Sequence, residues 1–162
     1  MSENQKKIWI TGASSGIGKA VAEKFAKEGW KVAVSARRKE LLDELAQNQN
    51  IVSFPLDVTN NNQINEVFKN ILTEFKDLDI CLFSSGTYEP KDELSIDPDK
   101  IRNVINVNFL GVIDCVKTVE DYFKNKKSGH ISIVSSIAGY RGLPNSSGYG
   151  PSKAALTNFS ES

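Results

Sequence analysis

The chain has 162 residues, enough for one domain at the usual ~150 residues each. With 40% hydrophobic, 9% aromatic and 25% charged residues it has an ordinary globular composition, which excludes disordered, collagen-like and membrane-protein classes. Lys+Arg and Asp+Glu stand at 20 each, so no broad positive field gathers nucleic acid or an acidic membrane surface, although a local phosphate site remains allowed.

From the N-terminus, Met1 to Lys7 is followed only by Ile8 to Ile10 before Thr11 and Gly12, too short for a signal-peptide core. No apolar run approaches the ~18 residues of a membrane span. Cys81 and Cys115 form neither a Cys-x-x-Cys pair nor a disulfide framework, which fits buried thiols in a reducing, cytoplasmic compartment. Five apolar runs of strand length follow one another: Lys7 to Thr11, Lys31 to Ala36, Ile51 to Leu56, Asp79 to Ser84 and His130 to Ser135. Their apolarity is continuous rather than alternating, which predicts parallel strands covered on both faces.

Helical periodicity fills the gaps. Ala20, Val21, Phe25 and Ala26 mark the inner side of a first helix. After Thr59, read as an N-cap, Ile64, Val67, Phe68, Ile71, Leu72 and Phe75 step by three and four along one stripe. Asp97 and Pro98 read as an N-cap with proline at the first helical position, opening a helix through about Asn125 whose apolar set is wider than one stripe. One face is expected on the sheet and the other toward a partner. Ser152 to Ser162 opens a last helix, with Ala154, Leu156 and Phe159 apolar. Strand and helix in alternation predict an α/β fold, a doubly wound, Rossmann-like parallel sheet in a single domain over residues 1–162.

The first strand runs into Thr11-Gly-Ala-Ser-Ser-Gly-Ile-Gly18 and then a helix. Glycines at such a junction let backbone approach a pyrophosphate and aim free helix N–H groups at it. A Walker A loop is excluded, because Ala13 and Ala20 occupy positions where that motif needs glycine and Ser or Thr. A merely tight turn is the alternative. At the end of the second strand, Ser35-Ala36-Arg37-Arg38 lacks the acid that would take the ribose 2′-hydroxyl of NAD, while two guanidinium groups suit a 2′-phosphate. NADP(H) is therefore the expected cofactor; the alternative for both arginines is a solvated helix start.

Tyr149 and Lys153 lie four apart, on one face of a helix start, at the sheet's C-terminal side. Ser136 ends the fifth strand, thirteen residues before the tyrosine. With Thr11, Gly12, Gly16 and Gly18 in Thr-Gly-x-x-x-Gly-x-Gly spacing, the whole chain resembles the short-chain dehydrogenase/reductase family. The dinucleotide-binding form of the doubly wound fold takes the order 3-2-1-4-5-6, so five strands predict 3-2-1-4-5. The resemblance implies, beyond Ser162, a rest of helix, further strands and a substrate lid, so that the domain is C-terminally incomplete. It implies that Ser14, Ser15 and Ile17 line the pyrophosphate and ribose, and that Asp57, beside Val58, bonds adenine; Asp57 could equally cap the following helix. It also implies that Gly86, in Phe83-Ser-Ser-Gly86 where the family has Asn-Asn-Ala-Gly, keeps a close approach to the cofactor.

The implied activity is interconversion of a small-molecule carbonyl and alcohol by hydride transfer. Tyr149 would be general acid and base, because charge builds on the carbonyl oxygen and needs a proton donor. A free phenol, with a pKa of about 10, is too weak an acid, and the Lys153 ammonium should pull it down. Lys153 would also bond the nicotinamide ribose, Ser136 would hold the substrate oxygen, and Asn108 would support a water chain to the lysine. Each residue also has a structural alternative: ring packing for Tyr149, a strand-end bond for Ser136, a kink for Asn108. Gly139 to Ser147 is expected to form one pocket wall, with Tyr140 and Leu143 apolar. Family members commonly pair through the helix carrying Asn108, which leaves a homo-oligomer open. His130, the single histidine, has no metal-binding neighbours in sequence and begins the fifth strand. The competing class is a catalytically impaired nucleotide-binding or interaction fragment.

Overall fold

A computed structural model describes residues 5–88 and 96–162. Five parallel strands, β1 (Lys7–Thr11), β2 (Lys31–Ser35), β3 (Ile51–Ser53), β4 (Ile80–Phe83) and β5 (His130–Ile133), form one sheet in the order β3-β2-β1-β4-β5. The sheet order agrees with the expectation, and so does His130 as the first residue of β5. The strands are shorter than their apolar runs, yet the pairing continues past them: Phe54 N–H donates to Val34 O at 2.9 Å and Leu56 N–H to Ala36 O at 3.0 Å.

Alternation within the strands divides the core. Ile8, Ile10, Val32 and Val34 face α1 (Gly16–Lys27) and α2 (Lys39–Leu45). Trp9, Ala33, Cys81 and Phe83 face α3 (Asn61–Phe75), α5 (Gly111–Lys126) and α6 (Tyr149–Glu161). Trp9 is fully buried, stacks with Phe68, meets Phe83 edge-on and donates its indole N–H to Ser35 Oγ at 2.9 Å, so its one polar group is satisfied. Two-sided cover holds for β1 and β2. It does not extend across the sheet, because α1 and α2 lie over β1, β2 and β3, leaving Ile80 and Leu82 half-buried and β5 no better than half-covered.

Three helix readings are corrected. In α1 Ala26 is buried and Val21 and Phe25 pack against the core as expected, but Ala20 points to solvent, and Gly18 and Ala22 take the buried places beside Ala26; three small residues spaced by four let the helix sit close to the sheet. The cap of α3 is Asn60, whose side chain accepts from Gln63 N–H at 3.2 Å, while Thr59 turns back to Asp57. The long helix begins as expected, with Asp97 capping α4 (Pro98–Ile105), but a π-helical turn, Asn106–Leu110, separates α4 from α5. No helix among the described residues is long and apolar enough to cross a membrane.

Candidate active site

Strand order reverses between β2–β1 and β4–β5, so the loops leaving the C-terminal ends of β1 and β4 diverge and open a crevice there. A cleft of about 400 Å³ occupies this place. Gly12 forms its floor: φ is +70°, and a Cβ there would lie 2.6 Å from Ser84 O, so the β1 and β4 loops touch only because this residue has no side chain. Gly18 stands back from the cleft, packed against the same turn, where a Cβ would meet Gly12 O at 2.5 Å. Ser14, Ser15, Gly16 and Ile17 line the cleft from the turn and the α1 N-terminus, whose first-turn N–H groups carry no acidic neighbour.

At one end stand Arg37 and Arg38. Arg38 Nη2 donates to Ser14 Oγ and to Ser15 Oγ, both at 2.9 Å, which gathers a guanidinium and two hydroxyls at the end of β2. Asp57 and Val58 line the adjoining wall. The Asp57 carboxylate accepts from Thr59 N–H at 2.9 Å and from its hydroxyl at 2.8 Å, a turn just before α3, whose cap is Asn60 rather than Asp57.

At the other end stand Tyr149 and Lys153, with Gly86 between them and the floor. Lys153 is only 4% exposed. Its Nζ donates to Val134 O at 2.7 Å and lies 5.8 Å from the centroid of the Tyr149 ring. Burial holds its pKa below the ordinary lysine value, so its positive charge gains from any negative charge placed nearby. A Cβ on Gly86 would lie 3.5 Å from Asn108 Oδ1 and 3.9 Å from Lys153 Nζ; the glycine keeps this corner open.

Asn108 is fully buried in the π-helical turn and does not line the cleft. Its Oδ1 accepts from Thr87 N–H at 2.7 Å, and its Nδ2 donates to Thr87 O at 3.0 Å and to Ser152 Oγ at 3.1 Å. Ser152 Oγ in turn donates to Tyr149 O at 2.7 Å. The carboxamide thus ties the β4 loop to the first turn of α6. Ser136 is also outside the cleft lining, and its Oγ accepts from Ala138 N–H at 3.1 Å, capping the 3-10 turn Ile137–Gly139. Tyr140 and Leu143, expected as an apolar wall, are exposed and do not line the cleft. The aromatic wall is Tyr88, whose ring centroid is 4.8 Å from that of Tyr149. No motif flagged Tyr88; only its place two residues after Gly86 could have done so.

The donor set fits a phosphorylated dinucleotide: glycines without Cβ at the floor, a helix N-terminus, two hydroxyls and two guanidinium groups. The short chain dehydrogenase family model matches residues 6–162. Dehydrogenase/reductase SDR family member 7 of Mus musculus is 34% identical over 161 residues, covering 94% of this chain and 48% of the relative. Oxidoreductase BOA17 of Botryotinia fuckeliana is 35% identical over 158 residues, covering 95% and 58%. This chain therefore spans about half the length of the first of these relatives and 58% of the second. Among solved structures, a short-chain dehydrogenase from Streptomyces avermitilis superposes with a TM-score of 0.91 at 29% identity, covering 99% of this chain and 60% of that one. ElxO with NADP bound gives 0.88 at 31% identity, covering 96% and 65%. With the motif, the sheet order and the family model in agreement, the chain belongs to the short chain dehydrogenase family.

Proposed function

We propose that the cleft holds NADP(H) and that the protein to which this chain belongs interconverts a carbonyl and an alcohol, with Tyr149 as general acid and base. The observation that carries this is the sharing of one cleft by the glycine turn, the Arg38–Ser14–Ser15 cluster and the Tyr149–Lys153 pair. When bound, the cofactor supplies or accepts hydride. The chain's own residues do the rest. Gly12, Gly16 and the α1 N-terminus hold the pyrophosphate, and Arg37 and Arg38 hold the 2′-phosphate by charge-assisted bonds. Tyr149 Oη gives its proton to the oxygen on which charge develops, or takes it back in the reverse direction. Lys153, desolvated and anchored to Val134 O, favours the phenolate left on Tyr149. Asn108 acts as a positioning residue: its carboxamide has both donors and its oxygen engaged, and through Thr87 and Ser152 it sets the loop and helix that flank the reacting oxygen.

A second reading has its own support. Ser136, the expected holder of the substrate oxygen, lies outside the cleft lining, which favours nucleotide binding without turnover for these 162 residues. Titration of the chain with NADPH and a chromophoric ketone separates the two. Loss of the reduced-nicotinamide absorbance that vanishes in Tyr149→Phe supports the enzyme. Saturable NADPH binding with no absorbance loss supports the binding module, and no NADPH binding overturns both.

A further inference from the structure

The two ends of the cleft differ in character. One carries the cations and hydroxyls of Arg37, Arg38, Ser14 and Ser15; the other carries two phenol rings, Tyr88 and Tyr149, tilted by 56° with centroids 4.8 Å apart. Tyr88 is 53% exposed although its ring packs against that of Tyr149. Its backbone is fixed immediately upstream, because both peptide groups of Thr87 are engaged by the buried Asn108. The open face of the Tyr88 ring is therefore held beside the Tyr149 phenol. A ring carried by a carbonyl that reaches the Tyr149 hydroxyl therefore has the Tyr88 ring within contact reach.

Granting the carbonyl–alcohol chemistry proposed above, on which this inference rests, we infer that Tyr88 is a specificity-determining residue and that the site takes aryl carbonyl compounds, whose ring covers the exposed face of Tyr88. A saturated ring of the same size would bury similar apolar area there. Only an aryl ring adds the offset or edge-to-face contact, which at about 0.5–1.4 kcal/mol corresponds to about two- to tenfold in affinity.

Dissociation constants of acetophenone and of cyclohexyl methyl ketone, measured by saturation-transfer NMR on the chain loaded with NADP⁺, test this without requiring turnover. Acetophenone is expected to bind about two- to tenfold more tightly. Tyr88→Phe keeps that ratio, Tyr88→Ala brings it to one, and Tyr140→Ala, outside the cleft lining, leaves it unchanged. Equal affinities in the unaltered chain, no binding of either ketone, or a preference that survives Tyr88→Ala overturns the inference. NADPH oxidation is followed in parallel with both ketones. A Tyr88-dependent binding preference without any oxidation sinks the hydride-transfer proposal and leaves the aryl subsite standing, so the two failures are told apart.

Discussion

Asn108 shows how one side chain can join two loops. Its three hydrogen bonds lie in a fully buried place, so a leucine of similar size would leave the Thr87 N–H and C=O to find new partners, while the Ser152 hydroxyl would keep only its bond to Tyr149 O. A buried polar group left without a partner costs about 1–3 kcal/mol, and with partial relaxation Asn108→Leu is expected to lower unfolding free energy by about 2–4 kcal/mol in urea titrations. An unchanged midpoint would mean that the network contributes nothing. Lys153 makes a second prediction at this scale. Its folded-state pKa lies below the usual lysine value of 10.5, so between the two values the unfolded chain holds a proton that the folded chain has released. Stability then rises with pH through that window. The difference in unfolding free energy between the unaltered chain and Lys153→Met is expected to grow in favour of the unaltered chain as pH climbs toward 10.5, and a flat difference would contradict the buried ammonium.

At the level of elements, the C-terminal end of α5 is pinned to the start of β4. Tyr122 Oη donates to Asp77 Oδ1 at 2.6 Å and accepts from Leu78 N–H at 3.0 Å. Lys126 Nζ lies 2.7 Å from the same carboxylate. Burial raises the Asp77 pKa, but the bonds from Lys126, Tyr122 and Leu78 N–H outweigh it and bring it from 3.8 to about 2. A depressed carboxylate contributes stability that is whole above 3.8 and lost as pH falls through about 2. Acid titration of Asp77→Asn should therefore show a shallower loss across that window than the unaltered chain; identical acid limbs would place the α5–β4 clamp elsewhere. Because Asp77 is 40% exposed, water screens the pair and the difference is small. These elements were legible in the sequence to different degrees. The strands announce themselves because β1 and β2 are buried on both sides and carry unbroken apolar runs. The π-helical turn does not, since Asn-Val-Asn-Phe-Leu differs from an α-helical run only in which carbonyl each N–H meets. The inner side of α1 is legible at Val21, Phe25 and Ala26 but not at Ala20, for a related reason: alanine suits either face, and the close seat of Gly18 on Gly12 brings in Ala22 instead.

On the scale of the whole molecule, the site is a consequence of strand order. Placing β4 beside β1 and β3 on the far side of β2 brings Gly12, Arg38, Gly86 and Tyr149 to one rim, although Gly12 and Tyr149 stand 137 positions apart (149 − 12) in the chain. Motif spacing could name these residues, because each follows a strand end. It could not exclude Ser136, Tyr140 and Leu143 from the cleft lining or bring Tyr88 in, because those depend on how loops settle after the strands are paired. The same convergence makes ligand choice readable as stability. A ligand at 100 times its dissociation constant adds about 2.7 kcal/mol to unfolding. For a chain of this size that is a rise in Tm of roughly 5–10 °C. Losing the charged bonds to a 2′-phosphate, at about 1.5–3 kcal/mol, weakens binding roughly ten- to a hundredfold. NADH at the same concentration is then expected to add only about 0.4–1.4 kcal/mol. In Arg38→Ala, where Ser14 and Ser15 lose the guanidinium that gathers them, the gap between the two cofactors should narrow while NADH stabilisation stays as it was. Differential scanning fluorimetry with both nucleotides reads this directly. Equal Tm shifts from NADPH and NADH in the unaltered chain would assign the arginines to the solvated start of α2 and remove the basis for NADP(H).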